Sequence, residues 1–312
     1  MKKIISAILL AACVLSATAC FNNSGDQSNN GANNNASDNG KELTLAEQYH
    51  ALAAEGRIED AYYSLLTLSR QGDTQATELL ADFNVGFDKY EYKDKDGNKT
   101  EHTYTYDEKG FLLKKVEKEG TDERTYEYTY YENGLVKTQK NINKYGKVNL
   151  TEYTYDDKGV LVSDTLTNPQ NKKTVTTYTY NEAGKLTKKV SENEFKDVDT
   201  VDYTYDDKGN LIKEEFNYFN GNNEYNEYTY DDKGQIATKT VKAIDGKKTS
   251  YEYYYDSLGK VINEIDTNSR GRKNNREFKY DDKGNCVSVT YTYYDGKTES
   301  GSYEGYKVYY KG

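Results

Sequence analysis

The chain has 312 residues, of which 34 are Tyr, one is Pro and none is Trp, and its formal net charge is −10. With 35 % hydrophobic residues, many of them Tyr, the composition excludes a thick aliphatic core. Lys and Arg are interleaved with Asp and Glu throughout, which excludes the free basic face that nucleic acid requires.

The N-terminus reads as a targeting segment. Lys2 and Lys3 precede an apolar run, Ile4 to Ala19, that ends in Ala17-Thr18-Ala19-Cys20. The run is shorter than the roughly 20 residues a membrane span needs. Small residues directly before Cys20 make the segment resemble a bacterial lipoprotein signal. The resemblance implies that residues 1–19 are removed and that Cys20 is lipidated, anchoring the chain on the exported side of a bacterial membrane. Leu10-Ala11-Ala12-Cys13 offers Cys13 as an alternative acceptor, but cleavage there leaves only nine residues of apolar run. Residues 20–40 then form a tether, because the Asn, Ser and Gly after Cys20 carry no apolar surface to offset ordering entropy. Beyond Cys20 the only cysteine is Cys286, so no internal disulfide forms. With His50 and His102 the only histidines, no zinc site of the usual ligand count can be assembled.

Residues 41–85 are predicted helical. Thr44-Leu45-Ala46-Glu47 is a capping box, Leu45, Tyr49, Leu52 and Ala53 recur at helical spacing, and Gly56 is a stop. A second helix runs from Ile58 to Arg70, and Asp73 caps a third carrying Ala76, Leu79, Leu80 and Phe83. This segment resembles one tetratricopeptide or Sel1-type repeat. Arrays of that kind need three or more units, so the segment is predicted to be a helical cap over the first β-strand of the region beyond it.

Residues 86–312 are one repeat. Gly110, Gly134, Gly159, Gly184, Gly209, Gly234, Gly259 and Gly284 are spaced by 24 residues once and by 25 thereafter. Four residues before each stands Tyr, six before stands Tyr or, once, Phe278, and two after stands an apolar residue. Tyr203 and Tyr205 therefore share one face of a strand, and Asp206-Asp207-Lys208-Gly209 makes a tight turn with glycine in the left-handed conformation. The expected register sets Asp206 opposite Asn210 and Tyr205 opposite Leu211. Turn-forming residues midway between the glycines give each unit two strands, about 18 in all. At about 4.8 Å per strand they make a sheet roughly 80–90 Å wide.

The Tyr-Thr-Tyr-Asp-x-x-Gly-x-Leu unit resembles the YD repeat of RHS-type proteins. That resemblance implies β-hairpins laid side by side in a curling sheet, here too short for a closed shell. The expected fold is thus mainly β: an extended, twisted antiparallel meander of about nine hairpins with open edges and a small helical cap.

One motif turn offers two carboxylates beside a Lys, fewer oxygens than calcium takes. Asp94-Lys95-Asp96-Gly97 has Tyr92 and Thr103 where an EF-hand places its first and last ligands. Neither histidine has a nucleophile beside it in the sequence, so the chain reads as a non-enzyme without metal or cofactor. The feature with binding potential is the ladder Tyr128, Tyr153, Tyr178, Tyr203, Tyr228 and Tyr253, which suits a glycan or cell-wall polymer. The alternative is a spacer or docking scaffold for another envelope protein.

Overall fold

The computed structural model describes residues 43–70 and 73–311. The lipidation residues Cys20 and Cys13, the signal segment and the tether lie outside the described residues. By contact the chain divides into two compact units. One holds the described residues up to Gly86, together with Glu108–Gly110 and residues 306–311; the other holds Phe87–Asp107 and Phe111–Gly305.

The first unit contains helices α1 (Leu45–Ala54), α2 (Ile58–Arg70) and α3 (Thr74–Leu79), followed by a 3-10 turn over Leu80–Asp82. Thr44 and Glu47 close the expected capping box on α1, and the Asp73 side chain accepts from Ala76 N–H at the start of α3. Ala61, Leu65 and Ala76 are fully buried, and Leu45, Leu52, Tyr62 and Val308 pack around them. Phe83 departs from its expected place in the third helix. The 3-10 turn ends α3, and Phe83 opens the first strand with its ring 5.3 Å from that of Tyr310.

The strands are β1 (Phe83–Lys93), β2 (Lys99–Tyr106), β3 (Leu112–Glu119), β4 (Asp122–Tyr130), β5 (Val136–Ile142), β6 (Val148–Tyr155), β7 (Leu161–Thr167), β8 (Lys173–Tyr180) and β9 (Leu186–Asn193). They continue as β10 (Val198–Tyr205), β11 (Leu211–Asn217), β12 (Asn223–Tyr230), β13 (Ile236–Lys242), β14 (Lys248–Tyr255), β15 (Val261–Thr267), β16 (Lys273–Tyr280), β17 (Cys286–Thr292) and β18 (Thr298–Tyr310). Each pairs antiparallel with the next, and β18 pairs back onto β1.

That last pairing overturns the open meander. The hairpins close into an 18-stranded antiparallel β-barrel with neither a free first nor a free last strand. Closure satisfies backbone groups that two open edges would leave unpaired. It is reinforced at the seam. The Tyr90 and Tyr303 rings lie 4.6 Å apart, Phe87 packs edge-on against Tyr303, and the Tyr92 hydroxyl donates to Glu299. Buried side chains concentrate on this side: Tyr90, His102, Tyr104, Phe278, Val289 and Tyr303. Over the arc from Tyr131 to Lys260, by contrast, Thr176 alone is buried, so no second layer covers either face of the sheet there.

Candidate functional site

The motif turns from Tyr131 onward share the geometry that Asp206–Asn210 illustrates. Asp206 N–H donates to the Asn210 carbonyl and Gly209 N–H to the Asp206 carbonyl, both at 2.9 Å. Gly209 has φ +83°, which a Cβ would strain. The Asn210 side-chain amide, with backbone N–H groups, holds the Asp206 carboxyl below its ordinary value. The other motif glycines, Gly110, Gly134, Gly159, Gly184, Gly234, Gly259 and Gly284, also have positive φ.

Tyr205 stands opposite Leu211, but Thr204 stands opposite Lys213, so Ile212 is a bulge. The same shift recurs in every motif hairpin. It reverses the alternation of the second strand. The residue five places after each glycine, rather than four, therefore joins the tyrosine face, opposite the tyrosine, or in the last hairpin Phe278, six places before the glycine. Those residues are Lys115, Gln139, Asp164, Lys189, Glu214, Lys239, Glu264 and Val289. From Asp164 to Glu264 their charges alternate in sign, and Arg276 on β16 continues the alternation opposite Glu264.

The tyrosines interleave with this row. The hydroxyls of Tyr178 and Tyr228 donate to Asp164 and Glu214, each at 2.6 Å, while Lys189 and Lys239 lie over the same two rings at 5.5 Å. Tyr153 donates to Gln139 at 3.3 Å. Of the six ladder residues, Tyr128, Tyr203 and Tyr253 donate to no described residue. Burial raises all three hydroxyls, Tyr128 and Tyr203 to about 12, so they stay protonated donors at neutral pH.

A second tyrosine row fastens neighbouring hairpins. The hydroxyls of Tyr130, Tyr155, Tyr180, Tyr205, Tyr230, Tyr255 and Tyr280 donate to the carbonyls of Leu112, Val136, Leu161, Leu186, Leu211, Ile236 and Val261, at 2.7–3.0 Å. Each acceptor is the apolar residue two places after the preceding glycine. A Phe ring at these positions would lack this added bond between hairpins.

The most enclosed polar group lies on β15–β17. Arg276 pairs with Glu264 and sits 5.1 Å from the Tyr291 ring. Tyr291 and Asn274 both donate to Asp266 at 2.6 Å. Burial raises the Glu264 carboxyl above its ordinary value against the opposing pull of Arg276. His102, buried opposite Tyr90 and Glu117, has its Nδ1 without a partner among the described residues. Burial, and secondarily Lys115, lowers its pKa to about 4 despite Glu117. Cys286 is buried opposite Tyr280. Among the described residues no cluster of His, Cys, Asp and Glu is placed to hold a metal ion.

No known family profile matches the chain, and no curated protein matches it. Among solved structures it is similar to a porin-like protein from Bacteroides uniformis, at 14 % identity and a TM-score of 0.42, over 70 % of this chain and 97 % of the other. It is also similar to a porin-like protein from Bacteroides vulgatus, at 11 % identity and a TM-score of 0.30, over 71 % of this chain and 99 % of the other. A third similar structure is TcdB2-TccC3, at 15 % identity and a TM-score of 0.32, over 66 % of this chain but 15 % of the other. Likenesses this loose assign no function. The open side-by-side strip that the resemblance to YD repeats of RHS-type proteins implied is corrected as well: the strands form a closed ring.

Proposed function

We propose that the protein is a non-enzymatic component of the bacterial envelope. Its barrel stands in water, held to the membrane by lipid on Cys20, and its tyrosine face binds a polar ligand such as a glycan or cell-wall polymer. The observation that carries the ligand reading is the uncovered tyrosine face, where Tyr128, Tyr203 and Tyr253 present half-buried rings and unengaged hydroxyls, the last two opposite Glu214 and Glu264 of the charged row. Rings of this kind stack on sugars while their hydroxyls select orientation. A barrel in water is supported by charge on both faces: Glu214 and Lys239 lie on the tyrosine face, Lys213 and Glu227 on the opposite one. A lipid-facing barrel wall carries instead an apolar band.

A scaffold without a ligand is the second reading, favoured by the engaged hydroxyls of Tyr153, Tyr178 and Tyr228. Glycan-array binding by the chain from residue 20, with and without Tyr203→Ala and Tyr253→Ala, separates the two. Binding lost in the variants supports the ligand reading. No binding, or binding that both changes leave intact, leaves the scaffold. Metabolic labelling with an alkyne fatty acid tests the anchor, with label expected on the wild type and absent from Cys20→Ser.

A further inference from the structure

In a closed up-and-down barrel every motif turn lies at one end and every other turn at the opposite end. The two ends differ in chemistry. The motif turns are acidic, with pairs such as Asp156-Asp157, Asp206-Asp207 and Asp231-Asp232 against single lysines. The opposite turns carry Lys144 and Lys147, Lys172, and Arg270 and Arg272; Lys144 and Lys172 are ion-paired with Asp122 and Glu194, so the excess positive charge lies with Lys147, Arg270 and Arg272.

The opposite end also holds most of the strongly exposed apolar side chains. Tyr145 is 74 % exposed, Phe195 67 %, Phe219 62 %, Tyr294 54 % and Ile244 51 %, each at the tip of its own turn. On the motif end Leu258, at 55 %, is the single comparable residue among those described. Cations accompany the aromatic tips: Lys144 lies 5.2 Å from the Tyr145 ring, Lys172 4.3 Å from Phe195 and Arg272 4.4 Å from Tyr294. Lys172 and Arg272 each come from the turn before the ring they cover. Between the turns of Lys172 and Phe195 lies a cavity of about 210 Å³ that also borders Lys173, Glu194, Asn168 and Asn193.

From this pairing of aromatic tips with cations on one end, we propose that the end formed by the non-motif turns docks on an anionic lipid surface. Tyrosine and phenylalanine settle at the headgroup level, where one side of the ring is wet and the other apolar. Lys147, Arg270 and Arg272 meet lipid phosphates, while Asp122 and Glu194 offset Lys144 and Lys172, and the acidic motif end is repelled. Both requirements are met on one end and neither on the other, which fixes the orientation of the barrel against the bilayer. Docking uses only turn residues and does not require lipid on Cys20.

The test is sedimentation of the chain from residue 20, carrying Cys20→Ser, with sucrose-loaded vesicles. These hold either 30 % phosphatidylglycerol in phosphatidylcholine or phosphatidylcholine alone, roughly the anionic content that a polybasic surface senses. The protein is expected to bind the anionic vesicles and to lose binding as salt rises. Tyr145→Ser with Phe195→Ser and Phe219→Ser should weaken binding about ten-fold or more. Lys147→Glu with Arg270→Glu, which leaves every tip in place, should do the same, and Leu258→Ser should change nothing. Circular dichroism checks that each variant keeps its β signal. Absence of binding to anionic vesicles overturns the proposal, as does binding that both sets of changes leave intact. Neither result bears on the glycan array. Protein that remains aggregated without detergent and conducts ions across a planar bilayer instead overturns the reading of a barrel in water.

Discussion

Removing the hydroxyls that join neighbouring hairpins should loosen the barrel by an amount the structure sets. Tyr205→Phe keeps the ring opposite Leu211 and deletes only the 2.8 Å hydrogen bond to the Leu186 carbonyl. A single half-buried hydrogen bond contributes about 1 kcal/mol net. The bonds made by Tyr130, Tyr155, Tyr180, Tyr205 and Tyr230 have separate acceptors, and neighbouring ones lie two strands, or about 9.6 Å, apart. Their losses should therefore add, to about 5 kcal/mol for the fivefold Phe variant. That is a large share of the roughly 5–15 kcal/mol by which folded domains are stable. With a urea dependence of about 3 kcal/mol per molar, the single change lowers the unfolding midpoint by about 0.3 M and the fivefold change by about 1.7 M. Tyr203→Phe is the control, because its hydroxyl donates to no described residue, and its midpoint should stay at the wild-type value. A fivefold variant that unfolds where the wild type does refutes the reasoning. So does a loss from Tyr203→Phe as large as that from Tyr205→Phe.

Arg276→Ala strands the buried Glu264 carboxylate and should cost about 3–5 kcal/mol, whereas Glu264→Leu with Arg276→Leu should recover most of it; equilibrium unfolding of both variants decides. His102, with its folded pKa lowered to about 4 by burial, binds fewer protons in the folded than in the unfolded chain between pH 4 and 6.5. Its contribution is therefore complete above about pH 6.5 and declines as pH falls, by up to about 3 kcal/mol at pH 4. His102→Asn should flatten that part of a stability-against-pH curve. Gly301→Ala would place a Cβ 2.6 Å from Cε2 of the Tyr90 ring, which is buried at the seam. Hydrogen exchange should then accelerate in β1 and β18 while β10–β13 keep wild-type protection.

The hairpin was legible in the sequence because its determinants are local. Tyr205 opposite Leu211 and Asp206 opposite Asn210 follow from a turn of known length. The bulge at Ile212 was not, and it hid the charged row. Strict alternation assigns Lys213 to the tyrosine face, whereas the structure places Glu214 there. The alternating signs of Asp164, Lys189, Glu214, Lys239 and Glu264, each five places after its glycine, were the available signal. Tyrosine without exception four places before each glycine was likewise a sign that its hydroxyl has a partner. That partner belongs to the preceding unit, so inspection of one unit could not name it. Closure depends on strands more than 200 residues apart, held by Tyr92 on Glu299 and Tyr90 on Tyr303, and neither contact follows the repeat rule. Phe83 was drawn into the third helix by its spacing from Leu79 and Leu80, which the 3-10 turn interrupts.

Because every 25-residue segment contributes one upward and one downward strand, the ring always contains an even number. Duplicating or deleting one segment within the uniform arc from β5 to β14 keeps the first and last strands antiparallel where they meet. The girth of the molecule can thus change only in steps of two strand widths, about 9.6 Å each. A gene that gains or loses such a segment alters the bore of its product while every remaining junction is of a kind already present.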